Sequence, residues 1–368
     1  MKNEILRIIN ENLIFSPFLF ILILLYLLYP NEIKNYPYFV DWRTIGALAG
    51  LLIITTAIKE SGYFLIVTKR ISKKANTERK IALFLILLSC IFATFLTNDI
   101  ALFIIVPLTL NFQKFIQNDI KKIVIFEAIA VNAGSLLTPI GNPQNLFLWH
   151  QWKISFLDFI IKMFPVFLLL LASLIIFILV IFPSKRLSIQ KQENATEFNK
   201  GLFFLSILLL VGYIVALESG LTYYALPAIF LIYLFFFRNI LIKSDWLLIM
   251  LFIVMFIDFH LISRIQIISN FVNSYNLNSS STVFTFSLLS SQIISNVPAS
   301  IFMSKFSHNW LSIAYGVNVG GNGTVIASLA NIIALRFVRD RKIWIEFHKY
   351  SLIYLLITGG LAYVLFFM

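Results

Sequence analysis

The amino-acid sequence predicts an all-α polytopic membrane protein built from two inverted repeats, each with a re-entrant hairpin and a broken transmembrane helix. Three observations lead to this fold class. The composition is that of a membrane protein, one interrupted apolar stretch occurs twice, and a short polar island between apolar runs precedes each copy.

Composition restricts the class first. Of the 368 residues, 60% are hydrophobic and 12% are charged, whereas about a quarter of a soluble domain is charged. The net charge of +12 comes from basic residues that cluster between apolar runs. This pattern is typical of the loops of a membrane protein and not of a nucleic-acid-binding surface. A single cysteine and four scattered histidines exclude a disulfide framework and a multi-cysteine metal site. We therefore expect the lipid bilayer as a partner, with no nucleic acid and no resident cofactor.

The first interrupted stretch lies within the apolar run 121–149. Its ends read as apolar helix, but its middle is rich in helix breakers and amide side chains. Pro139 and Pro143 each remove a hydrogen-bond donor and clash with the preceding turn. Non-helical backbone at membrane depth persists only where it is buried in protein or lines a wet cavity. The stretch therefore predicts a transmembrane helix that is broken at a polar site.

The same stretch occurs a second time. Residues 317–331 align with residues 131–145 at a constant offset and without a gap. Two broken helices, each preceded by an interrupted apolar segment, are the sequence sign of a transporter built from repeats. The identical pairs are Val131/Val317, Asn132/Asn318, Gly134/Gly320, Thr138/Thr324, Ile140/Ile326 and Asn145/Asn331.

The polar islands predict hairpin tips. Thr97-Asn98-Asp99 precedes the first break, and Ser295-Asn296 precedes the second. The apolar legs 283–294 and 298–306 are far shorter than the roughly 20 residues that a crossing needs, so they enter and leave the membrane on one side. The legs of the first hairpin are longer, and two tilted crossings are the alternative there.

These elements divide the chain into two repeats and a connection. The predicted parts are a first repeat at 1–182 with hairpin 81–112 and broken helix 121–149, a cytoplasmic linker at 183–200, a linking helix at 201–217, and an inverted second repeat at 222–368 with hairpin 283–306 and broken helix 311–336.

Basic residues orient the repeats. When the hairpins are counted as non-crossing, a chain that starts in the cytoplasm places 22 of the 29 lysines and arginines on the cytoplasmic side. This asymmetry is the positive-inside pattern. It predicts a multi-pass protein of the plasma membrane with a cytoplasmic N-terminus, about nine crossings and two hairpins that enter from opposite faces. Each repeat has an even number of predicted crossings, and the helix at 201–217 adds one between them. The second repeat therefore begins on the opposite side of the membrane and is inverted.

In such a fold the hairpin tips and helix breaks converge near the membrane midplane. Half-helix N-termini attract anions, whereas unwound carbonyls and half-helix C-termini bind Na⁺. The alternative is that small and amide residues are packing contacts between helices, but matched breakers at one offset favour a binding role. The predicted substrate- and ion-binding residues are Thr97, Asn98, Asp99, Asn132, Ser135, Thr138, Pro139, Gly141, Asn142, Ser295, Asn296, Asn318, Gly321, Asn322, Gly323 and Thr324.

Asp99 is the candidate for coupling transport to a cation. It is the acidic residue beside a polar island, and its counterpart in the second island is Val297. Carboxylates within a membrane usually mark ion or proton paths, although Asp99 could instead cap the half-helix that follows it. Structural roles are expected of four acids nearer the ends of apolar runs, which are Glu60, Glu127, Glu218 and Asp258.

Four motifs carry a resemblance to a known family. They read LTNDIALFIIVPLTL and SLLTPIGNPQNLFLW in the first repeat, and SNVPASIF and NVGGNGTVIASLANIIAL in the second. The sequence resembles the arsenite permease and sodium–proton antiporter branch of the ion transporter superfamily. This branch is also called citrate-transporter-like, and it is related to the divalent anion:sodium symporters. The resemblance implies a scaffold bundle, a mobile transport bundle that contains both hairpins, and a homodimer.

The sequence therefore predicts a secondary active transporter that moves a small anion, an inorganic oxyanion or a carboxylate, by alternating access with a coupling Na⁺ or H⁺. No lysine or arginine falls in the predicted core, so helix ends, backbone N–H groups and amide side chains would hold the anion. A Na⁺/H⁺ antiporter is the alternative that Asp99 favours. An intramembrane enzyme would need a nucleophile with a base, or a set of metal ligands, at membrane depth, and the sequence offers neither.

Overall fold

The computed structural model describes residues 15–63, 77–111, 120–184, 198–338 and 340–368. Every regular element within these ranges is a helix, as the fold class predicts. The N-terminal tail, most of the charged segment 69–80 and most of the linker 183–200 lie outside the described residues.

The first half of the chain forms the helices of the predicted first repeat. Side chains cap several of them: Asp41 accepts from the N–H groups of Arg43 and Thr44, and Ser155 accepts from that of Asp158. Such caps satisfy donors that a helix start leaves free. The helices are α1 Phe15–Leu28, a 3₁₀ helix Pro30–Asn35, α2 Tyr36–Phe39, α3 Trp42–Glu60, α4 Glu78–Phe95, α5 Asn98–Asn111, α6 Ile120–Ser135, α7 Pro143–Trp152 and α8 Phe156–Ile181.

The second half follows the same order of elements. Asp245 caps the helix that follows it, as Asp41 caps α3. The helices are α9 Lys200–Glu218, α10 Thr222–Phe236, α11 Arg238–Lys243, α12 Trp246–Ile262, α13 Gln266–Asn273, α14 Ser280–Ile294, α15 Asn296–Met303, α16 Trp310–Val319, a 3₁₀ helix Val325–Ala327, α17 Leu329–Arg336 and α18 Ile343–Phe367.

Length and composition identify the helices that can cross a membrane. Four of those described, α3, α8, α9 and α18, are long and apolar enough on their own. Two bent pairs raise the number to six if each pair is one span, and the bends are 117° after α1 and 77° after α12. The count of about nine crossings and the inverted orientation of the second repeat therefore stay predictions.

Each hairpin packs against the first half of a broken helix. The leg α4 lies against α6, and the leg α14 lies against α16. Glycine permits the approach in both places, because a Cβ at Gly134 would overlap the carbonyl group of Cys90, and one at Gly320 would lie 2.9 Å from the carbonyl oxygen of Leu288. The two contacts are equivalent in the alignment of the repeats.

Helix α12 lies between the first helices of the chain and the second hairpin. The ring of Phe259 contacts Phe18 of α1 and Phe302 of α15, with ring centroids 6.4 and 6.5 Å apart. One turn earlier, Phe256 contacts Phe147 of α7 at 5.5 Å. Aromatic side chains therefore fill the contacts of α12 on both sides.

Candidate functional site

The first break separates α6 from α7, and the side chain of Asn145 closes it. The amide nitrogen of Asn145 donates to the carbonyl oxygens of Ser135, Leu136 and Thr138 at 3.3, 3.0 and 3.3 Å. These carbonyls belong to the end of α6 and to the turn after it, where the helix leaves acceptors without internal partners. Asn142 caps the start of α7 by accepting from the N–H of Asn145 at 2.9 Å.

The second break is closed in the same way. The amide nitrogen of Asn331, the counterpart of Asn145, donates to the carbonyl oxygens of Gly321 and Thr324 at 3.0 and 3.3 Å. Gly321 and Thr324 are the counterparts of Ser135 and Thr138 in the sequence alignment. The duplicated sequence therefore forms duplicated hydrogen bonds.

Two hydrogen bonds between asparagines join the breaks reciprocally. Asn132 of α6 donates to the side-chain oxygen of Asn331 at 2.9 Å, and its counterpart Asn318 of α16 donates to that of Asn145 at 2.7 Å. Asn132 also donates to the carbonyl oxygen of Gly321 at 3.0 Å. Each broken helix thus binds the second half of the other, and the breaks meet at one place.

Further predicted residues surround this junction. Asn142 donates to the side-chain oxygen of Asn318 at 3.0 Å and to the hydroxyl of Ser135 at 3.1 Å. At the second hairpin tip, the amide nitrogen of Asn296 lies 2.9 Å from where a Cβ on Gly321 would be. The structure therefore brings together Asn132, Ser135, Asn142, Asn296, Asn318 and Gly321, and we call this set, with Asn145 and Asn331, the asparagine cluster.

The first hairpin tip is attached to the first break. The N–H of Asn98 donates to the carbonyl oxygen of Gly141 at 3.0 Å. The hydroxyl of Thr138 donates to the backbone carbonyl oxygen of Thr94 at 2.6 Å. The side-chain oxygen of Asn98 accepts from the N–H of Asp99 at 3.0 Å. Thr97 is buried beside these residues in the chain, and Pro139 lies in the turn that Gly141 ends.

The second hairpin is attached to the second break through Gln292, which the sequence reasoning missed. Its amide nitrogen donates to the carbonyl oxygen of Gly320 at 2.6 Å, and its backbone carbonyl accepts from the hydroxyl of Thr324 at 2.9 Å. In the first repeat, Thr94 donates to Gly134 and accepts from Thr138 in the same manner. The signal was its position, because Gln292 precedes its hairpin tip by three residues, as Thr94 does.

The expectation that backbone N–H groups of the breaks hold an anion fails at the second break. The N–H groups of Gly323, Thr324 and Val325 donate to protein acceptors, at 2.8, 2.9 and 3.3 Å. These acceptors are Ser351, Gln292 and His348. Gly323 has a φ of +110°, which a non-glycine residue rarely adopts, so this turn presents its donors to the protein.

Several buried polar atoms of the site have no hydrogen-bond partner among the described residues. A buried donor or acceptor without a partner is costly, and such atoms mark where water or a ligand binds. Ser295 at the second hairpin tip adds backbone strain, because its φ is +75°. The atoms without partners are Asp99 Oδ1, Asn132 Oδ1, Gln144 Oε1, Asn322 Oδ1 and Nδ2, and Ser328 Oγ.

The site is closed and carries no basic side chain. Asn132, Asn142, Asn296 and Asn318 are each at most 2% exposed. Among the residues that the structure describes, no lysine or arginine is buried. What the site offers is amide and hydroxyl groups, carbonyl oxygens and the carboxyl group of Asp99.

Of the acids for which structural roles were expected, two make structural contacts at the ends of helices, and Glu127 lies in different surroundings. Glu60 pairs with Lys243, and Glu218 accepts from the N–H of Phe156 at 2.9 Å, which are the structural roles expected of them. Glu127 does not lie near a helix end, because α6 continues for eight residues beyond it to Ser135. It is fully buried, its Oε1 accepts from the hydroxyl of Thr109 of α5, and its Oε2 has no described partner.

Fold and site together define a polytopic helical membrane protein whose paired broken helices enclose a polar centre. The profile of the citrate transporter family matches residues 8–309. The chain therefore belongs to the citrate transporter family of the ion transporter superfamily, and it is a transporter and not an enzyme.

Three similar proteins come from distant organisms. The inner membrane protein YbiR of Escherichia coli is 36% identical over 336 residues, which are 91% of this chain and 90% of the relative. An uncharacterized transporter of Methanocaldococcus jannaschii, MJ0456, is 35% identical over 350 residues, 94% of this chain and 92% of the relative. The silicon efflux transporter LSI3 of Oryza sativa is 25% identical over 129 residues, 35% of this chain and 27% of the relative.

Proposed function

We propose that the protein is a secondary active transporter that moves a small anion, an inorganic oxyanion or a carboxylate, by alternating access. The observation that carries this proposal is the reciprocal pair of hydrogen bonds between Asn132 and Asn331 and between Asn318 and Asn145. It joins the two broken helices at a polar centre in which several buried polar atoms have no hydrogen-bond partner within the described part of the chain. Packing alone would not require polar atoms without partners, whereas a ligand would supply those partners.

Alternating access follows from the closed state of the centre. Because the asparagine cluster is buried, a solute reaches it only after elements around it move. The hairpin legs and the broken helices are joined to each other by hydrogen bonds, as between Thr94 and Gly134 and between Gln292 and Gly320. They are suited to move as one bundle against the other helices, which is how transporters built from repeats work.

Cation coupling follows from the charge of the centre. The described core has no buried lysine or arginine, and it contains the carboxyl group of Asp99. An anion that enters such a site needs a cation to balance its charge. Carbonyl and amide oxygens suit Na⁺, and Asp99 suits Na⁺ or H⁺.

The names of relatives bear on the substrate class and on the membrane in which the protein lies. The name of the Oryza sativa relative, a silicon efflux transporter, favours an inorganic oxyacid, whereas the family name favours a carboxylate. The Escherichia coli relative is named an inner membrane protein, which agrees with a plasma-membrane location. A cytoplasmic N-terminus and a homodimer complete the proposal, the first from the basic residues and the second from the resemblance.

Ligand screening of the purified protein tests the substrate class. Thermal unfolding would be followed with citrate, other carboxylates, silicate, arsenite and phosphate, each with and without Na⁺, because a ligand that binds the native state raises its stability. We expect one class to raise the unfolding temperature of the wild type and to have no effect on Asn318→Ala. Asn273→Ala, on the exposed end of α13, is the matched control and should respond like the wild type. A response that Asn318→Ala retains in full would remove the cluster from binding.

A Na⁺/H⁺ antiporter is the second candidate, and Asp99 favours it. Its Oδ1 is buried without a described partner, at the start of the half-helix α5. Because α5 begins at Asn98, Asp99 lies within the helix and is not its cap. Asp99→Asn keeps the size of the side chain but cannot exchange a proton. In proteoliposomes with independent pH and Na⁺ gradients, the variant should lose its response to the gradients, whereas Asp158→Asn, at an exposed position of α8, should keep it. If Asp99→Asn responds like the wild type, Asp99 has no part in coupling.

A further inference from the structure

A second acidic side chain of the membrane-spanning part has no hydrogen-bond partner among the residues that the structure describes. Asp258 of α12 is 0% exposed, and neither of its carboxyl oxygens is hydrogen-bonded by a described residue. Asp258 lies four residues before the end of α12, as expected, but no described contact gives it a structural role, because a structural carboxylate would cap a helix or pair with a cation. Asp245 caps α12 in that way.

Asp258 is separate from the site of Asp99. Asp245, at the start of α12, lies within electrostatic range of Asp99. Asp258 follows thirteen residues later, which at 1.5 Å per residue is about 20 Å further along the helix axis. A role for Asp258 is therefore independent of the hairpin tip.

The turn of α12 that carries Asp258 lies at a contact between bundles. The neighbouring ring of Phe259 lies between Phe18 of α1 and Phe302 of the hairpin leg α15, and Phe256 contacts Phe147 of the broken-helix arm α7. Helix α12 also packs against α3. The turn of α12 that carries Asp258 thus lies where elements of the proposed moving bundle meet helices outside it.

Two titratable groups near this region come from α2 and from α12 itself. From α2, the hydroxyl of Tyr36 is buried without a described partner and lies within electrostatic range of Asp258. On α12 itself, His260 stacks on Phe39 with ring centroids 3.9 Å apart, and neither of its nitrogens has a described partner.

Four charged groups lie nearby, and two of them form an ion pair. Arg264 pairs with Glu32 at 3.4 Å and lies over the ring of Phe39. Lys305, after α15, lies within electrostatic range of Arg264 and of Asp41, which precedes α3. None of these groups forms an ion pair with Asp258 within the described part of the chain.

An ionised Asp258 would be costly in this state. A buried carboxylate without a hydrogen bond or an ion pair is strongly disfavoured, whereas the neutral acid is disfavoured far less. Movement of the hairpin and the arm away from α12 would admit water and permit ionisation. We propose that Asp258 is a proton-binding site, protonated in the closed arrangement and deprotonated when the contact between bundles opens. This inference rests on the proposed alternating access and extends its coupling to a second position, with Tyr36 and His260 as polar groups along the way to solvent.

Infrared spectroscopy of the purified protein tests the protonation state without transport. The difference between the wild type and Asp258→Asn at neutral pH should contain the C=O band of a protonated carboxyl group, and the band should shift in deuterated water. Asp158→Asn, which removes an exposed acid, should remove only the bands of an ionised carboxylate. Ionised-carboxylate bands in the Asp258 difference would overturn the proposal. If Asp258→Asn does not fold, Asp258→Glu keeps the acid, and its C=O band should be displaced and not lost.

Transport tests the coupling. In proteoliposomes with labelled citrate as the probe, Asp258→Asn should retain exchange of citrate across the membrane but lose the acceleration that an imposed pH gradient gives the wild type. An undiminished acceleration would overturn the proposal. A wild type that does not move citrate would count against the carboxylate form of the proposed function, and the infrared result would still decide the state of Asp258.

Discussion

At the residue scale, the side chain of Asn145 replaces hydrogen bonds that α6 loses at its break. It donates to three carbonyl oxygens and accepts from Asn318. We expect Asn145→Ala to lower the free energy of unfolding by about 1–3 kcal/mol, because it leaves buried acceptors without partners. Thermal unfolding of the purified variant would measure the loss, with the exposed Asn273→Ala as the control.

The equivalent substitution in the second repeat tests the same structural role independently. Asn331 donates to two carbonyl oxygens and accepts from Asn132, so Asn331→Ala should destabilise the protein by a similar amount. Stability equal to that of Asn273→Ala for either variant would contradict the structural role of the duplicated asparagines.

Residue types predicted most of the site, but not its pairings. The common offset identified Asn132 with Asn318 and Asn145 with Asn331. The observed pairs are Asn132 with Asn331 and Asn318 with Asn145. This pairing depends on how the helices cross, and the sequence does not specify the crossing. Gln292 was missed because it acts mainly on backbone carbonyls, and backbone acceptors have no sequence signature.

At the element scale, the approach of α4 to α6 depends on Gly134. A Cβ there would overlap backbone atoms of Cys90, which a flexible side chain cannot relieve. Gly134→Ala should therefore force the helices apart, and overpacking typically costs about 1–3 kcal/mol. Gly212→Ala is the matched control, because its Cβ would meet no atom within 4 Å on the exposed face of α9. There the change should be neutral or stabilising, because alanine favours helix over glycine.

Thermal unfolding monitored by gel filtration would compare the two glycine variants. Equal unfolding temperatures for Gly134→Ala and Gly212→Ala would contradict the close packing of hairpin and broken helix.

The order and type of elements followed from the sequence, and their bends did not. The helices on either side of both polar islands and both breaks begin and end within a few residues of the bounds that hydrophobic runs and breakers predicted. The bend of 117° after α1 occurs near Pro30, which removes a helix donor, but its direction depends on packing against later parts of the chain. The same holds for the 77° bend after α12.

An ion pair connects the start of α6 with the segment before α18. The ammonium group of Lys121 lies 2.6 Å from the carboxylate of Asp340, and this hydrogen bond holds the pKa of Asp340 below its usual range. A lowered pKa in the folded state means that the link persists above the ordinary carboxyl pKa and is lost as the pH falls through the folded-state value.

Hydrogen exchange would detect this link. We expect the backbone amides of residues 340–343 to exchange faster in Asp340→Asn than in the wild type at neutral pH, and the difference to vanish in acid. The unfolding temperature should hardly change, because exposed pairs contribute little. Identical exchange at neutral pH would show that the pair does not order this segment.

At the scale of the whole molecule, the repeats are related by their contacts as well as by their sequence. Thr94 and Gln292 make equivalent hydrogen bonds, and so do Asn145 and Asn331. Because equivalent contacts persist whether two repeats are parallel or inverted, the contacts alone do not orient the repeats in a bilayer. The distribution of basic residues does, and it predicts inversion.

Cysteine labelling from each side of the membrane tests the inverted arrangement. The native thiol, Cys90, is buried, and a Cys90→Ala background removes it. Single cysteines would be placed at four exposed positions, which are Lys80, Lys200, Ser280 and His308. Cysteines at 280 and 308, at the two ends of the second hairpin, should both react from outside, because a re-entrant hairpin returns to the side it left. Those at 80 and 200 should react from the cytoplasm, because the two predicted crossings between them, the first broken helix and α8, return the chain to the side it left. If 280 and 308 react from opposite sides, the second hairpin spans the membrane and the repeats are not inverted. If 80 and 280 react from the same side, the repeats are parallel, and alternating access would need a different symmetry from the one proposed.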